Sequence, residues 1–154
     1  DIDFLHPKAD WLFVGAKHYY MDCIFCKIIN GDIPNYTVYE DDHVLAFLDI
    51  HPHAKGHTVV IPKQHADTIF GLDDEYTQAL MLGTQKAMEK IQEALGPEGF
   101  NVGWNHNEIA GQAVPHLHVH ILPRWKNDGG KNIHAIINNP GNQSVQDIAA
   151  LFNQ

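Results

Sequence analysis

Between Pro115 and Pro123 the chain reads His-Leu-His-Val-His-Ile-Leu, three imidazoles in strict alternation with aliphatic side chains. Alternation with period two marks a half-buried β-strand, whose successive side chains point to opposite faces. An extended segment here turns Leu117, Val119 and Ile121 toward a core. It lines up His116, His118 and His120 on the other face at steps of roughly 6.6–6.8 Å. A helix would scatter the rings about its axis, so the strand is the form that gathers them. Pro115 and Pro123 are expected at the two strand ends, where no ladder donor is required.

A solvated strand face or a metal site is the simplest alternative for such a row. One ion cannot take all three rings, because the outer two lie about 13 Å apart on a straight strand while ligand bonds are near 2.1 Å. The pattern points to divided labour, with one ring as nucleophile and its neighbours orienting, donating or ligating. A neutral imidazole, with an ordinary pKa of ~6.5, is a competent nucleophile near neutrality. An imidazole that attacks an electrophile forms a covalent intermediate that water can cleave in a second step. The attacking nitrogen must be bare, so the other must be held, for instance by a backbone carbonyl.

Composition narrows the classes. The chain has 154 residues, 44% of them apolar, which suits one domain with one core. No apolar run approaches the ~18 residues of a membrane span, and no signal-peptide pattern is seen. The formal charge of −9 comes without any Lys/Arg run, which argues against general nucleic-acid binding. A small anionic ligand needs only local donors and stays compatible. The two cysteines, Cys23 and Cys26, stand in one Cys-x-x-Cys spacing, which fits a reducing cytoplasm better than a disulfide scaffold.

In order along the chain, residues 1–20 precede Met21, and the expectation is an extension ahead of a single domain over 21–154. The alternative is an arm that packs on the domain through Trp11, Leu12, Phe13 and Val14. Ile24 to Asn30 predicts one or two helical turns ended by Gly31, with Ile28 and Ile29 inward. Tyr36–Glu40 and Val44–Leu48 read as strands joined at Asp41-Asp42, and His57–Ile61 as a third closed by Pro62. Asp73 to Leu95 is the long helix. Asp73 and Asp74 offer N-caps, Tyr76, Ala79, Leu80, Gly83, Ala87, Ile91, Ala94 and Leu95 recur at helical spacing, and Gly96-Pro97 ends it. Phe100–Trp104 is the fourth strand and the histidine segment the fifth. Between them, Asn105–Val114 is small, polar and suited to approaching a ligand. Residues 126–154 form a tail in which Gln143–Phe152 predicts a closing helix capped by Ser144. Short connections imply an antiparallel sheet with helices on one face, an α+β class.

The histidine run matches, over seven positions, the His-φ-His-φ-His-φ-φ signature (φ apolar) of the histidine triad (HIT) family of nucleotide hydrolases and transferases. The resemblance spans about Cys23 to Trp125. It includes Ile-Phe-Cys-Lys-Ile-Ile at 24–29, Ala-Phe-Leu-Asp-Ile at 46–50, Gly-His-Thr-Val-Val-Ile-Pro-Lys at 56–63 and Ala-Gly-Gln at 110–112. It implies a five-stranded antiparallel sheet with one long helix and a short N-terminal helix, extended across a homodimer. It also implies that His118 is the nucleophile, that His120 donates to a phosphate oxygen, and that His57 touches the phosphate or leaving-group side. Asp49 matches the acid that accepts from ribose hydroxyls. Asn105 and Gln112 match amide donors to the phosphate or leaving group, against the plainer reading of loop amides bonded to their own backbone. Ala113 departs from the pattern, since many members carry a Ser or Thr hydroxyl there. Ile24, Phe25, Ile28 and Phe47 could pack a purine, with adenine implied by the resemblance.

Cys23 and Cys26 could be a redox pair or two buried small residues, and no thioredoxin-like βαβ pattern surrounds them. In bacterial-type members a similar pair is completed by a histidine after the Ile-Pro-Lys segment and by the first triad histidine. Here those are His65 and His116, and two thiolates with two neutral imidazoles would balance a structural Zn²⁺. The expected function is hydrolysis of purine nucleoside phosphoramidates or dinucleoside polyphosphates, through a nucleotidyl-histidine, to a nucleoside monophosphate such as AMP. The alternatives are a nucleotide-binding or scaffold protein with vestigial catalysis, and a redox or zinc-sensing protein built on the cysteine pair.

Overall fold

A computed structural model describes residues 22–153. The expectations for residues 1–20 and for a start at Met21 lie outside the described residues. The elements are α1 (Ile24–Ile29), β1 (Thr37–Glu40), β2 (Val44–Leu48), β3 (Thr58–Pro62), α2 (Asp74–Leu95), β4 (Gly99–Gly103), β5 (Val119–Arg124) and α3 (Val145–Ala150). All five strands pair antiparallel in the order β1-β2-β3-β5-β4. The α+β class, the five strands, the long helix and the short helix α1 are as expected.

The layers follow from alternation along the inner strands. Val44 and Ala46 of β2, Val60 of β3, and Val119 and Ile121 of β5, with Leu117 just before it, pack against Leu80, Ala87 and Ile91 of α2. The opposite side chains, Leu45, Phe47, Val59 and Ile61, pack with Ile28 of α1, while Phe25 leans on them. The helices therefore sit on both faces of the sheet. This corrects the single-faced expectation: β2 and β3 are near-continuous apolar runs, and such runs need cover on both sides. The α2 face approaches β2 so closely that a Cβ at Gly83 would collide with Val44 Cγ2. Thr84 is the buried polar residue of that face, and its hydroxyl donates to the Leu80 carbonyl at 2.8 Å.

Several local expectations change. Asp73 holds the N-cap position without a side-chain cap. Its carboxylate instead accepts from Gln64 Nε2 at 2.7 Å, and its own N–H donates to Gln64 Oε1 at 2.9 Å. Pro123 lies inside β5, opposite Phe100, because pairing with β4 runs on to Arg124 after pairing with β3 has stopped at Ile121. The regular strand also starts later than the histidine run, at Val119. Beyond β5, α3 has the expected Ser144 cap, completed by Asp147 into a capping box. It closes over nothing, since every side chain from 126 to 153 is exposed.

Candidate active site and metal-ligand cluster

Leu117, Val119 and Ile121 are buried toward α2, so His118 and His120 project to the α1 face of β5. His116 precedes the strand and is fully buried, and His118 is 8% exposed. The rings are not a solvated row, because α1 brings Phe25 over them. The Phe25 ring lies 5.1 Å from that of His118, 5.8 Å from that of His116 and 5.9 Å from that of Phe47.

Three ring nitrogens have a backbone partner of fixed type, and that assigns their protons. His118 Nδ1 lies 2.7 Å from the His116 carbonyl oxygen. A carbonyl only accepts, so Nδ1 carries the hydrogen and Nε2 keeps its lone pair. His116 Nε2 donates in the same way to the Pro62 carbonyl at 2.9 Å, leaving its Nδ1 bare. On the neighbouring strand, His57 Nδ1 accepts from the His53 backbone N–H at 3.1 Å, and His57 Nε2 lies 2.9 Å from His120 Nδ1. Burial holds all four rings neutral. It pushes His116 down to about 4, and His120 likewise to about 4 with help from the neighbouring His118 and His57 rings. His118 and His57 are lowered chiefly by burial too.

Asp49 sits just beyond β2, one oxygen accepting from the His51 N–H at 2.8 Å and the other 3.7 Å from His57 Nε2. Asn105 is exposed and makes one long contact, Nδ2 to the Gly111 carbonyl at 3.5 Å, so its amide can reach a ligand. Gln112 is different. Its Nε2 donates to the carbonyls of Asp67 at 2.6 Å and Val114 at 3.0 Å, and its Oε1 accepts from the Asn107 N–H at 2.9 Å. With both amide protons used inside the protein, the side chain ties the 105–114 loop to the 64–67 segment rather than facing a phosphate. Ala113 is exposed beside it. Phe25, Ile28 and Phe47 share one apolar cluster, whereas Ile24 is 47% exposed and lies outside it.

Cys23, Cys26, His65 and His116 offer donor atoms all within 4.8 Å of one another. His65 Nδ1 lies 3.1 Å from His116 Nδ1 and 3.2 Å from Cys26 Sγ, and Cys23 Sγ lies 3.5 Å from His116 Nδ1. Tetrahedral bonds of about 2.3 Å to sulfur and 2.0–2.1 Å to nitrogen put neighbouring ligands roughly 3.3–3.8 Å apart, so the set fits a closed Zn²⁺ site. The far nitrogens are held as metal-ligating imidazoles require: His116 Nε2 by Pro62, and His65 Nε2 by the Asp67 carboxylate at 3.2 Å. Without a cation the Cys26 thiol is pushed up to about 12, mainly by burial and then by Cys23. Asp49, His57 and His120 also converge, but they do not suit a metal. Ligation through His57 Nε2 would move the proton to Nδ1, against the His53 N–H.

Three groups here escaped the sequence: the Asp67 carboxylate and the backbone groups of Pro62 and His53. A backbone donor or acceptor has no residue-type signal to read. Among the described residues no helix is long and apolar enough to cross a membrane.

Comparison with known proteins gives matches of family and of fold. The HIT domain model matches residues 30–127. An uncharacterized HIT-like protein of Methanocaldococcus jannaschii is 50% identical over 107 residues, 70% of this chain and 82% of its own length. The adenosine 5'-monophosphoramidase hnt1 of Schizosaccharomyces pombe is 43% identical over 113 residues, 73% of this chain and 82% of its own length. The crystal structure of a zinc-bound histidine triad family protein from Mycobacterium smegmatis superposes with a TM-score of 0.67 at 36% identity, covering 71% of this chain and 80% of that one.

Proposed function

The chain belongs to the HIT-domain family, and on that premise we propose that it is a nucleotide hydrolase acting on purine nucleoside phosphoramidates or dinucleoside polyphosphates and releasing AMP. One observation carries the reading: the His118 ring is locked with Nδ1–H on the His116 carbonyl, so a bare Nε2 faces the site. That nitrogen attacks the α-phosphorus, the bond to the amine or phosphate leaving group breaks, and the leaving group departs with the bonding pair. The nucleotidyl-imidazolium keeps its Nδ1–H on the carbonyl. Water then attacks phosphorus, the N–P pair returns to Nε2, and the proton lost by water balances the one gained by the leaving group.

In this reading Asp49 accepts from the ribose hydroxyls, Asn105 donates to the phosphate or leaving group, and Phe25, with Ile28 and Phe47 beneath it, packs the base. His120 donates to the phosphoryl oxygen. A Zn²⁺ held by Cys23, Cys26, His65 and His116 would be structural. It would fasten α1 to the approach of β5 and so steady the carbonyl that orients His118. The free thiols fit a cytoplasmic setting. The apolar face of Met81, Leu82 and Met88 on α2 with Phe100 and Val102, next to the edge strand β4, fits a homodimer with the sheet continued across it.

Intact mass spectrometry after rapid mixing with adenosine phosphoramidate tests the proposal. A transient gain of one AMP, mapped to His118 and followed by release of AMP, is expected. Nucleotide binding with neither adduct nor product, across phosphoramidate and diadenosine polyphosphate substrates, would leave the binding-protein alternative, which the intact triad argues against and the missing hydroxyl at Ala113 leaves open.

A further inference from the structure

The segment from Asp49 to His57 doubles back on itself beside the histidine row. Asp49 N–H donates to the His57 carbonyl at 2.9 Å, and His57 N–H donates to the Ala54 carbonyl at 3.0 Å. Gly56 closes the turn at φ +78, a conformation that strains any other residue, and a Cβ there would also press on Leu95 Cδ1. The closed turn aims the His53 backbone N–H at the His57 ring, 3.1 Å from Nδ1.

A backbone N–H can only donate. His57 Nδ1 must therefore be unprotonated, and in a neutral ring the proton sits on Nε2. That proton points at His120 Nδ1, 2.9 Å away, and the Asp49 carboxylate oxygen at 3.7 Å lies on the same side and favours it. His120 Nδ1 is then the acceptor, and the His120 proton is forced onto Nε2. The reverse direction would set two hydrogens against each other between His53 and His57. A doubly protonated His57 meets the same clash. His57 is 3% exposed, so water cannot readily relieve it.

We propose that the backbone amide of His53 is a positioning group that sets, through His57, the tautomer of His120, so that His120 presents Nε2–H to the substrate phosphate. The inference rests on the reading of His120 as the phosphate donor. It adds that this donor is imposed from within the Asp49–His57 loop by a group with no side-chain identity, and that His57 is a fixed neutral donor rather than an acid.

Two-bond 1H–15N correlation on the full, zinc-loaded chain labelled with 15N-histidine reads the tautomers directly. His57 and His120 should both appear as Nε2–H with unprotonated Nδ1. Nδ1–H at either ring overturns the proposal. H53A keeps the amide and should keep both tautomers, whereas H53P deletes it. H53P should give mixed tautomers at His57 and His120 and lower kcat about tenfold with KM changed less than about twofold. A folded H53P with wild-type tautomers would also overturn the proposal. If H53P fails to fold, the wild-type spectrum still decides. An AMP adduct alongside His120 in the Nδ1–H form would sink this inference and spare the hydrolase. Correct tautomers with no adduct would do the opposite.

Discussion

The carbonyl of His116 and the nitrogen of His118 are two residues apart in sequence, yet their 2.7 Å bond decides which nitrogen can react. His118→Ala should abolish the mass adduct and lower kcat by at least about 10³-fold, as expected for loss of a covalent nucleophile. A variant that retained wild-type turnover would remove the proposed mechanism. The pH dependence has a definite sign. His118 must be neutral to attack, and burial lowers its proton affinity, so it stays neutral below the ordinary imidazole value of about 6.5. The acid limb of kcat/KM should therefore fall below that value, and an acid limb above it would contradict the burial argument.

At the level of elements, a Zn²⁺ held by Cys23, Cys26, His65 and His116, whose donor atoms converge, would fasten α1 to the approach to β5. Protein purified without chelator should contain about one zinc per chain by elemental analysis, and none in Cys26→Ser. Stripping the metal should lower Tm by about 5 °C or more, because the site closes a link between distant parts of the chain. It should also weaken the AMP adduct, since His116 serves both as ligand and as the backbone acceptor of His118. On the other face, Gly83→Ala places a methyl group against Val44 of β2. Urea unfolding should show a loss of about 1–3 kcal/mol, the usual cost of overpacking a filled interface.

For the whole molecule, two groups of exposed apolar side chains stand out among the described residues, beside scattered single ones such as Phe70 and Ile109. One is the α2 and β4 face, with Met81 61% and Val102 38% exposed. The other is the tail after Arg124, anchored where the Arg124 guanidinium grips Asp128 at 2.6 and 2.7 Å and Asn101 at 2.6 Å. A continuous apolar face beside an open sheet edge suits a second copy. Sedimentation should show a dimer for the wild type and a monomer for Met88→Glu combined with Val102→Glu. A monomeric wild type at micromolar concentration would end the homodimer proposal.

Read by itself, the sequence determined the elements and the residue types gathered at the site. Period-two alternation at 116–122 demanded an extended segment with the aliphatic residues in the core, and helical spacing from Leu80 to Ile91 demanded the long helix. Spacing gave the triad rings separate tasks, and the fold puts His116 among the cysteines and His120 against His57. Tertiary structure decided what depends on contacts far apart in the chain. That α1 and α2 cover opposite faces, that β5 lies between β3 and β4 with Pro123 inside it, and that Gln112 turns into the protein all follow from packing and strand order, which local periodicity does not encode. The protonation of the rings was illegible for a further reason: it is written by the carbonyls of His116 and Pro62 and the amide of His53, and every residue has such groups, so only their placement in space distinguishes them.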